Sequence, residues 1–498
     1  MNMIKMIVKK VLLSSFLPSL LMALSAHATE ANKVGKPSNA VSSAMPNSQA
    51  LSLQLDFAMK DFVALNDTTN QDNFTSISNL PTTHLDLSLT IQSVQSPLTP
   101  AAPEPNKVAT FAITSKAEEE IANIEARRHP RIETGFEKRD KSATDGISSY
   151  HGEEIALVGW WPLAYDGHGF VQVDHVSIDA GELANNKDAY LFGKLAAQQF
   201  IPASPLLQKA EGTSIAGGYV GDDLRWDVGV IGIGFPVQNL VGGIRKSWEV
   251  EKVDYALELS RRPQTSSLLS YAGARDPATG EFWGGVTNTA LSGRAATYFG
   301  EIYTFASAEY GLLRGKNVLD NNRLALRIGA DKDLIHHDDM RLNLGLTLSY
   351  WRFKENETNY TFGHGGYYSP QNYTSLSLPL EWVGRHNKLS YLVRGSVSFS
   401  QSYEKDMNFY PTDNTLQNSS PAGYQVYKGG AGSGTGYALR LTAEYQATPQ
   451  FAIGGRVDIE RSAYYEPNTL LLYLKYDLQL HHPSANFPPA VVKPLSQF

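Results

Sequence analysis

The sequence predicts an all-β fold: a transmembrane antiparallel β-barrel of about sixteen strands, with a flexible segment and one short helix ahead of it. Three observations carry that prediction. Beyond Pro130, apolar and polar residues alternate with a period of two, and the period holds to about residue 480. The connections between the alternating runs are tight and long by turns, the habit of membrane barrels. Tyrosine (25), phenylalanine (20) and glycine (41) are abundant, which favours sheet, and a mean hydropathy of -0.27 is too polar for a bundle of membrane helices.

The same composition excludes several chemistries. None of the 498 residues is cysteine, which removes a disulfide scaffold, a thiolate-bound metal and a thiol nucleophile. Lysine and arginine total 43 against 50 acidic residues, for a net charge of -7, so the chain offers no basic field for nucleic acid.

Taken in order, residues 1–28 read as a secretory signal peptide. Lys5, Lys9 and Lys10 precede the apolar run Val11 to Leu24, and Ala26-His27-Ala28 supplies the cleavage pattern. That run is shorter than the roughly 20 residues of a spanning helix. Residues 29–112 are rich in Ser, Thr, Asn, Pro and Ala without a sustained period, which predicts a flexible periplasmic linker. In residues 113–129, Ile121 and Ile124 sit among Glu118, Glu119, Glu120, Arg127 and Arg128, which predicts a short amphipathic helix ended by His129-Pro130.

Residues 130–480 form the predicted barrel. Leu342, Leu344, Leu346, Leu348 and Tyr350 lie on one face, opposite Arg341, Asn343, Gly345, Thr347 and Ser349. Leu470, Leu472, Leu474, Tyr476 and Leu478 repeat the pattern opposite Tyr473, Lys475 and Asp477. Tight turns are predicted near Asp166, Gly221, Val250, Gly293, His337, His386 and Pro449, and long loops over 181–211, 263–281, 313–321, 356–371 and 404–436. Runs near 168–180 and 297–312 have ambiguous phase, as β-bulges produce. An even strand count with both ends on the tight-turn side predicts periplasmic termini. Residues 481–498, with four prolines, are expected as a periplasmic or lumen-facing tail.

A soluble sandwich would bury the leucine rows in a dry core. A barrel inverts this, turning them toward outer-membrane lipid and leaving the charged rows inside a water-filled lumen. The inward set is then Asp254, Glu258, Arg323, Arg327, Asp331, Arg341, Glu381 and Arg394, followed by Arg440, Glu444, Arg456, Asp458, Glu460, Lys475 and Asp477. A strongly anionic cargo favours a mostly positive lumen, whereas mixed charge can hydrogen-bond many hydroxyls without trapping an ion, which suits a neutral polysaccharide. The same charges can also pair across neighbouring strands simply to satisfy the wall.

Two loop sequences mix guanidinium groups, hydroxyls and aromatic rings, the groups that hold sugars: residues 261–285 and 361–371. His336-His337-Asp338-Asp339 falls on a predicted hairpin turn, where adjacent side chains diverge, so no metal site is expected. Gly429 to Gly436 lacks the lysine of a phosphate loop, and no serine elbow of GxSxG type occurs. No cofactor and no catalytic residue are expected.

The loop Ser260 to Gly280, with Trp283-Gly-Gly-Val286, closely resembles the carboxy-terminal barrel of the bacterial cellulose synthase operon protein C family. Ile233-Gly-Phe-Pro-Val237, Val241-Gly-Gly243, Gly315-Lys-Asn-Val318 and Thr361 to Gln371 resemble it too, as do Ile124-Glu-Ala-Arg-Arg128 and Val173 to Gly181. The resemblance covers residues 120–480 and implies a sixteen-stranded outer-membrane channel through which a growing β-1,4-glucan leaves the cell. Its carried-over candidates for the substrate path or gate are Arg261, Arg262, Ser266, Ser267, Tyr271, Arg275, Asp276 and Trp283, with Gly363, Gly365, Gly366, Tyr367 and Tyr368. Members of this family usually carry tetratricopeptide repeats before the barrel, and no helical period of roughly 34 residues is found here. The periplasmic scaffold is then a separate polypeptide, or is unnecessary, or the chain has diverged to another cargo; the expected partners are cellulose or a related polysaccharide, outer-membrane lipid, the inner-membrane cellulose synthase complex and, in the first case, a tetratricopeptide scaffold on a separate chain. Rival readings are a general porin, an exporter of another polymer, a barrel enzyme acting on lipid or polysaccharide, and a plugged barrel serving only as an anchor.

Overall fold

The computed structural model describes residues 129–164, 167–462, 468–479 and 487–498. The expected signal peptide, linker and almost all of the helix lie outside the described residues. Sixteen long strands follow one another in the described chain: β1 (Arg131–Lys141), β2 (Tyr150–Ala164), β3 (Gly167–Leu183), β4 (Leu206–Gly221), β5 (Leu224–Ile233), β6 (Asn239–Val250), β7 (Val253–Pro263), β8 (Phe282–Phe299), β9 (Ile302–Lys316), β10 (Asn321–His337), β11 (Met340–Phe353), β12 (Asn372–His386), β13 (Leu389–Glu404), β14 (Gly430–Thr448), β15 (Phe451–Ser462) and β16 (Asn468–Asp477). Each pairs antiparallel with the next. β16 then pairs with β1, from Arg131 opposite Asp477 to Asp140 opposite Asn468. The sheet is thus a closed cylinder, and closure leaves no strand edge unpaired.

Seven connections on one rim join strands separated by two residues; six are described, at 222–223, 251–252, 300–301, 338–339, 387–388 and 449–450. Glu251 and Lys252 both take positive φ (51° and 67°), the two-residue hairpin geometry whose twist matches its flanking strands. The turn expected at Gly293 is at Gly300-Glu301 instead. Gly293 pairs with Leu257 on one side and Ala308 on the other in mid-strand, while Gly300 supplies the positive φ (64°) that the turn needs. That turn accounts for the broken phase of 297–312. Through 168–179 the register is unbroken, and the phase is ambiguous because the inward row mixes Phe170, Val176 and Ile178 with Gln172 and Asp174; the register shift comes only between Asp179 and Glu182. The loop expected over 313–321 shrinks to 317–320, because β9 continues along β8 as far as Lys316 opposite Gly284. Both chain ends of the cylinder lie on the tight-turn rim, and the opposite rim carries the long loops.

Leu344, Leu346, Leu470, Leu472, Leu474, Leu324, Leu326 and Ile328 are all exposed on the outside. Their strand neighbours Thr347, Ser349, Tyr473, Lys475, Arg323 and Arg327 are buried inside. Near the tight turns Trp161, Trp226, Trp248, Tyr298, Trp382, Tyr445 and Tyr476 form an exposed aromatic ring around the wall. Tyr437 lies on the same outward row of β14 as Tyr445, about 26 Å away along the strand. After a tilt of about 40° that is about 20 Å along the axis, comparable with the roughly 25 Å apolar band of membrane barrels. Such a belt has only hydrocarbon as a suitable solvent.

Leu346 sits within this belt, so Leu346→Arg should destabilise the vesicle-inserted barrel by about 2–4 kcal/mol, with Leu346→Phe close to wild type. Reversible guanidinium unfolding in phosphatidylcholine vesicles measures both.

Candidate functional site

The inner wall is built of ion pairs between adjacent strands or across one intervening strand, placed there by the period-two alternation. On β5 and β7, Asp227 and Arg262 meet fork to fork at 2.6 and 2.7 Å. On β14 and β15, Arg440 Nε donates to Asp458 at 2.6 Å. Arg456 bridges Asp458 at 3.0 Å and Glu137 of β1 at 3.2 Å. Glu444 accepts from Lys475 at 2.7 Å and from the Tyr473 hydroxyl at 2.9 Å. Glu381 lies between Arg394 at 3.4 Å and Arg341 at 3.6 Å. Arg323 meets Glu309 at 3.2 Å, and Arg245 meets Glu258 at 3.7 Å. Arg327, Asp331, Glu460, Asp254 and Asp477 share the inward parity of their strands. Asp254 and Asp477 stand at the tight-turn rim. Pairing of this kind offsets the cost of holding charge at a partly desolvated wall.

The long-loop rim is closed by a lid. Loops 184–205, 264–281, 354–371 and 405–429 fold inward and share one apolar core. Within it Trp283, at the start of β8, is wholly buried between Phe192 and Phe362, with ring centroids at 5.1 and 5.7 Å. Helix α1 (Leu268–Ala272) begins at Ser267, whose Oγ accepts the Ser270 N–H and donates to the Gly366 carbonyl at 2.7 Å. Asp276 ties loop to loop: Oδ1 accepts the Lys194 N–H at 2.7 Å, while Oδ2 accepts both donors of Thr279. Tyr271 packs edge-on against Phe235 at 5.4 Å, and Asn321 donates to the Tyr367 hydroxyl at 3.1 Å. Gly363 takes φ +103° where a Cβ would meet Thr412 Oγ1 at 2.6 Å, so a side chain there would part the loops. Arg139 and Lys141 of β1 fasten the lid to the wall by donating to the Thr265 and Ser266 carbonyls, each at 3.0 Å.

The sequence-predicted path residues are therefore divided. Arg262 and Ser266 line the lumen cavity. Ser267, Tyr271, Asp276, Trp283, Tyr367 and Tyr368 are buried in the lid core with Gly363, Gly365 and Gly366 alongside, so none of these rings is open to a sugar while the lid is shut. They are matched to one another, and mutual packing is what buries them. Arg275 is on the solvent side of the lid, 3.4 Å from the Gly280 carbonyl. Arg261 is in β7 rather than a loop, and its parity with the outward Leu257 and Leu259 puts it on the outer wall, where Nε donates to the Leu240 carbonyl.

On the tight-turn side residues 487–498 run inside the barrel. Phe487 lies under Arg385 of β12 at 5.5 Å, Val492 packs into the space beside Gly135 of β1, and Lys493–Phe498 bind β3, β2 and β1. A cavity of about 350 Å³ remains between this tail and Gln264–Ser266 of the lid. Sequence reasoning missed Arg225, Asp227, Arg245 and Glu309 of its wall, and Glu137, Glu154, Gln172 and Asp174 beneath the tail. The signal that could have found them is the same alternation, carried through β1–β6 and β9.

Burial favours the neutral form of two titratable side chains in the lid. Burial pushes the Glu357 carboxyl well above the usual range, its Oε2 accepting the Gly365 N–H at 3.0 Å. Burial pushes His364 down from 6.5 to about 4 while its Nε2 lies 3.0 Å from the Asn408 carbonyl. A histidine depressed in the native state stabilises the lid fully above pH 6.5 and loses that as pH falls through about 4, a loss of about 3 kcal/mol. The raised Glu357 carboxyl acts in the opposite sense over the same range, so the two offset in the native lid; Glu357→Gln, which leaves His364 alone, should make pepsin cut 354–371 increasingly fast from about pH 6 to 4 relative to wild type, and adding His364→Gln should remove that dependence.

The family model described as the C-terminus of cellulose synthase operon protein C matches residues 148–479. Cellulose synthase operon protein C of Salmonella typhimurium strain LT2 is 32% identical over 367 residues, covering 72% of this chain and 31% of that protein. Cellulose synthase 1 operon protein C of Komagataeibacter xylinus is 29% identical, covering 60% of this chain and 26% of its own length. The chain thus spans under a third of the length of these relatives. Among solved structures, one titled a bacterial polysaccharide outer membrane secretin superposes with a TM-score of 0.44 at 10% identity, covering 71% of this chain and 99% of the other.

Proposed function

We infer, since this chain belongs to the family of cellulose synthase operon protein C C-termini, that it is an outer-membrane channel exporting an exopolysaccharide, cellulose, without enzymatic activity. The observation that carries the reading is the inverted pattern: apolar rows outside, and inside a wall of cross-strand ion pairs. A neutral polyhydroxyl chain can exchange hydrogen bonds along such a wall, and a processive conduit needs many weak sites, since one tight site would stall it. The push comes from polymerisation at the inner membrane, and the lid parts as the polymer arrives.

In this reading the tight-turn rim and both termini face the periplasm and the lid faces outward, the usual orientation of barrels with short periplasmic turns. The inner-membrane cellulose synthase complex is the source of the polymer, and a tetratricopeptide scaffold spans the gap. Deleting the gene should abolish cellulose secretion while glucan synthesis by isolated membranes continues. Normal secretion by the deletion strain would reject the reading.

A further inference from the structure

The last six residues are seated on the wall as a ligand is seated. Gln172 Nε2 donates to the Lys493 carbonyl at 2.9 Å, and the Leu495 N–H donates to Asp174 Oδ2 at 2.5 Å. The Ser496 hydroxyl donates to Glu154 Oε2 at 2.9 Å, and the Gln497 amide donates to both oxygens of Glu137 at 2.7 Å. The Phe498 ring stacks on Phe170, with centroids 5.6 Å apart and planes 12° apart, and Arg225 covers it at 4.8 Å. Phe170, Gln172 and Asp174 are alternate residues of β3, so they form one inward row with spacings of about 7 Å, and Glu154 and Glu137 continue it across β2 and β1.

We propose that this strip, Phe170 with Gln172, Asp174, Glu154 and Glu137, is a pyranose-binding subsite at the periplasmic mouth, held in the resting channel by the chain's own residues 493–498 as a competitive occupant. The chemistry is that of sugar recognition: an aromatic face for the apolar face of a ring, and carboxylates and an amide for hydroxyls. The tail presents to it an aromatic ring, a hydroxyl, an amide and a backbone N–H. Its terminal residues also border the cavity, so their departure joins the subsite to the lumen. The proposal rests on the glucan-channel reading. It adds that the incoming polymer opens the channel by taking the tail's place.

The test is calorimetric binding of cellohexaose to the detergent-solubilised chain, which does not depend on the state of the lid. Affinity lost to an occupant is restored by its removal in proportion to the fraction occupied. A tail resident about nine-tenths of the time predicts about tenfold tighter binding once residues 487–498 are deleted. A synthetic peptide of residues 487–498 should displace the sugar from the deleted protein, and Phe170→Ala or Asp174→Asn in that background should weaken binding at least tenfold. Heat-modifiable gel migration verifies that each variant is folded. Cellohexaose binding unaffected by tail deletion, or by both wall substitutions, would overturn the proposal and leave the channel reading standing. No binding by any folded version would likewise overturn the proposal, while the channel reading is decided by secretion in the deletion strain.

Discussion

Once β16 pairs with β1, every strand has a partner on both sides, and the cylinder can meet hydrocarbon with its backbone satisfied. Only then can the period-two pattern be resolved in the inverted sense, with Leu344, Leu346 and Leu472 outward and Arg323, Arg456 and Lys475 inward. The same residues in an open sandwich would demand the opposite arrangement.

The inside of such a cylinder must hold charge without becoming a trap for it. Arg440 and Asp458 are register partners on β14 and β15, as Arg394 and Glu381 are on β13 and β12. Pairing across one ladder step satisfies each charge locally, and Arg456 extends the chain of contacts to Glu137 on β1. Both signs are interleaved along the wall, a surface on which hydroxyls can exchange partners.

The two mouths are closed by different physics. The lid is an apolar core assembled from four loops, with Trp283, Tyr271 and Tyr367 at its centre and Glu357 and His364 among them. Such a closure is cooperative, because each ring is packed against residues from another loop. The tail is held chiefly by hydrogen bonds to side chains of β1–β3, with Val492, Leu495 and Phe498 as apolar contacts, so it can be exchanged bond for bond with another polar chain.

The strand count, the outward and inward rows of the later strands and the hairpins near Gly221, Val250, His337, His386 and Pro449 were legible in the sequence, because alternation and turn residues are local signals with a fixed period. Gly293 misled because a glycine beside a serine looks like a turn whether or not the ladder continues through it. The fate of the loop aromatics was not legible: composition marks Trp283 and Tyr367 as rings able to stack, but not whether a sugar or another ring covers them. Nor could residues 493–498 be placed, since Leu495 lies 321 positions from Asp174 and Gln497 lies 360 from Glu137. Local periodicity was enough for a cylinder and its two faces. What fills the ends of that cylinder came from tertiary contacts, because they join segments whose separation along the chain leaves no periodic trace.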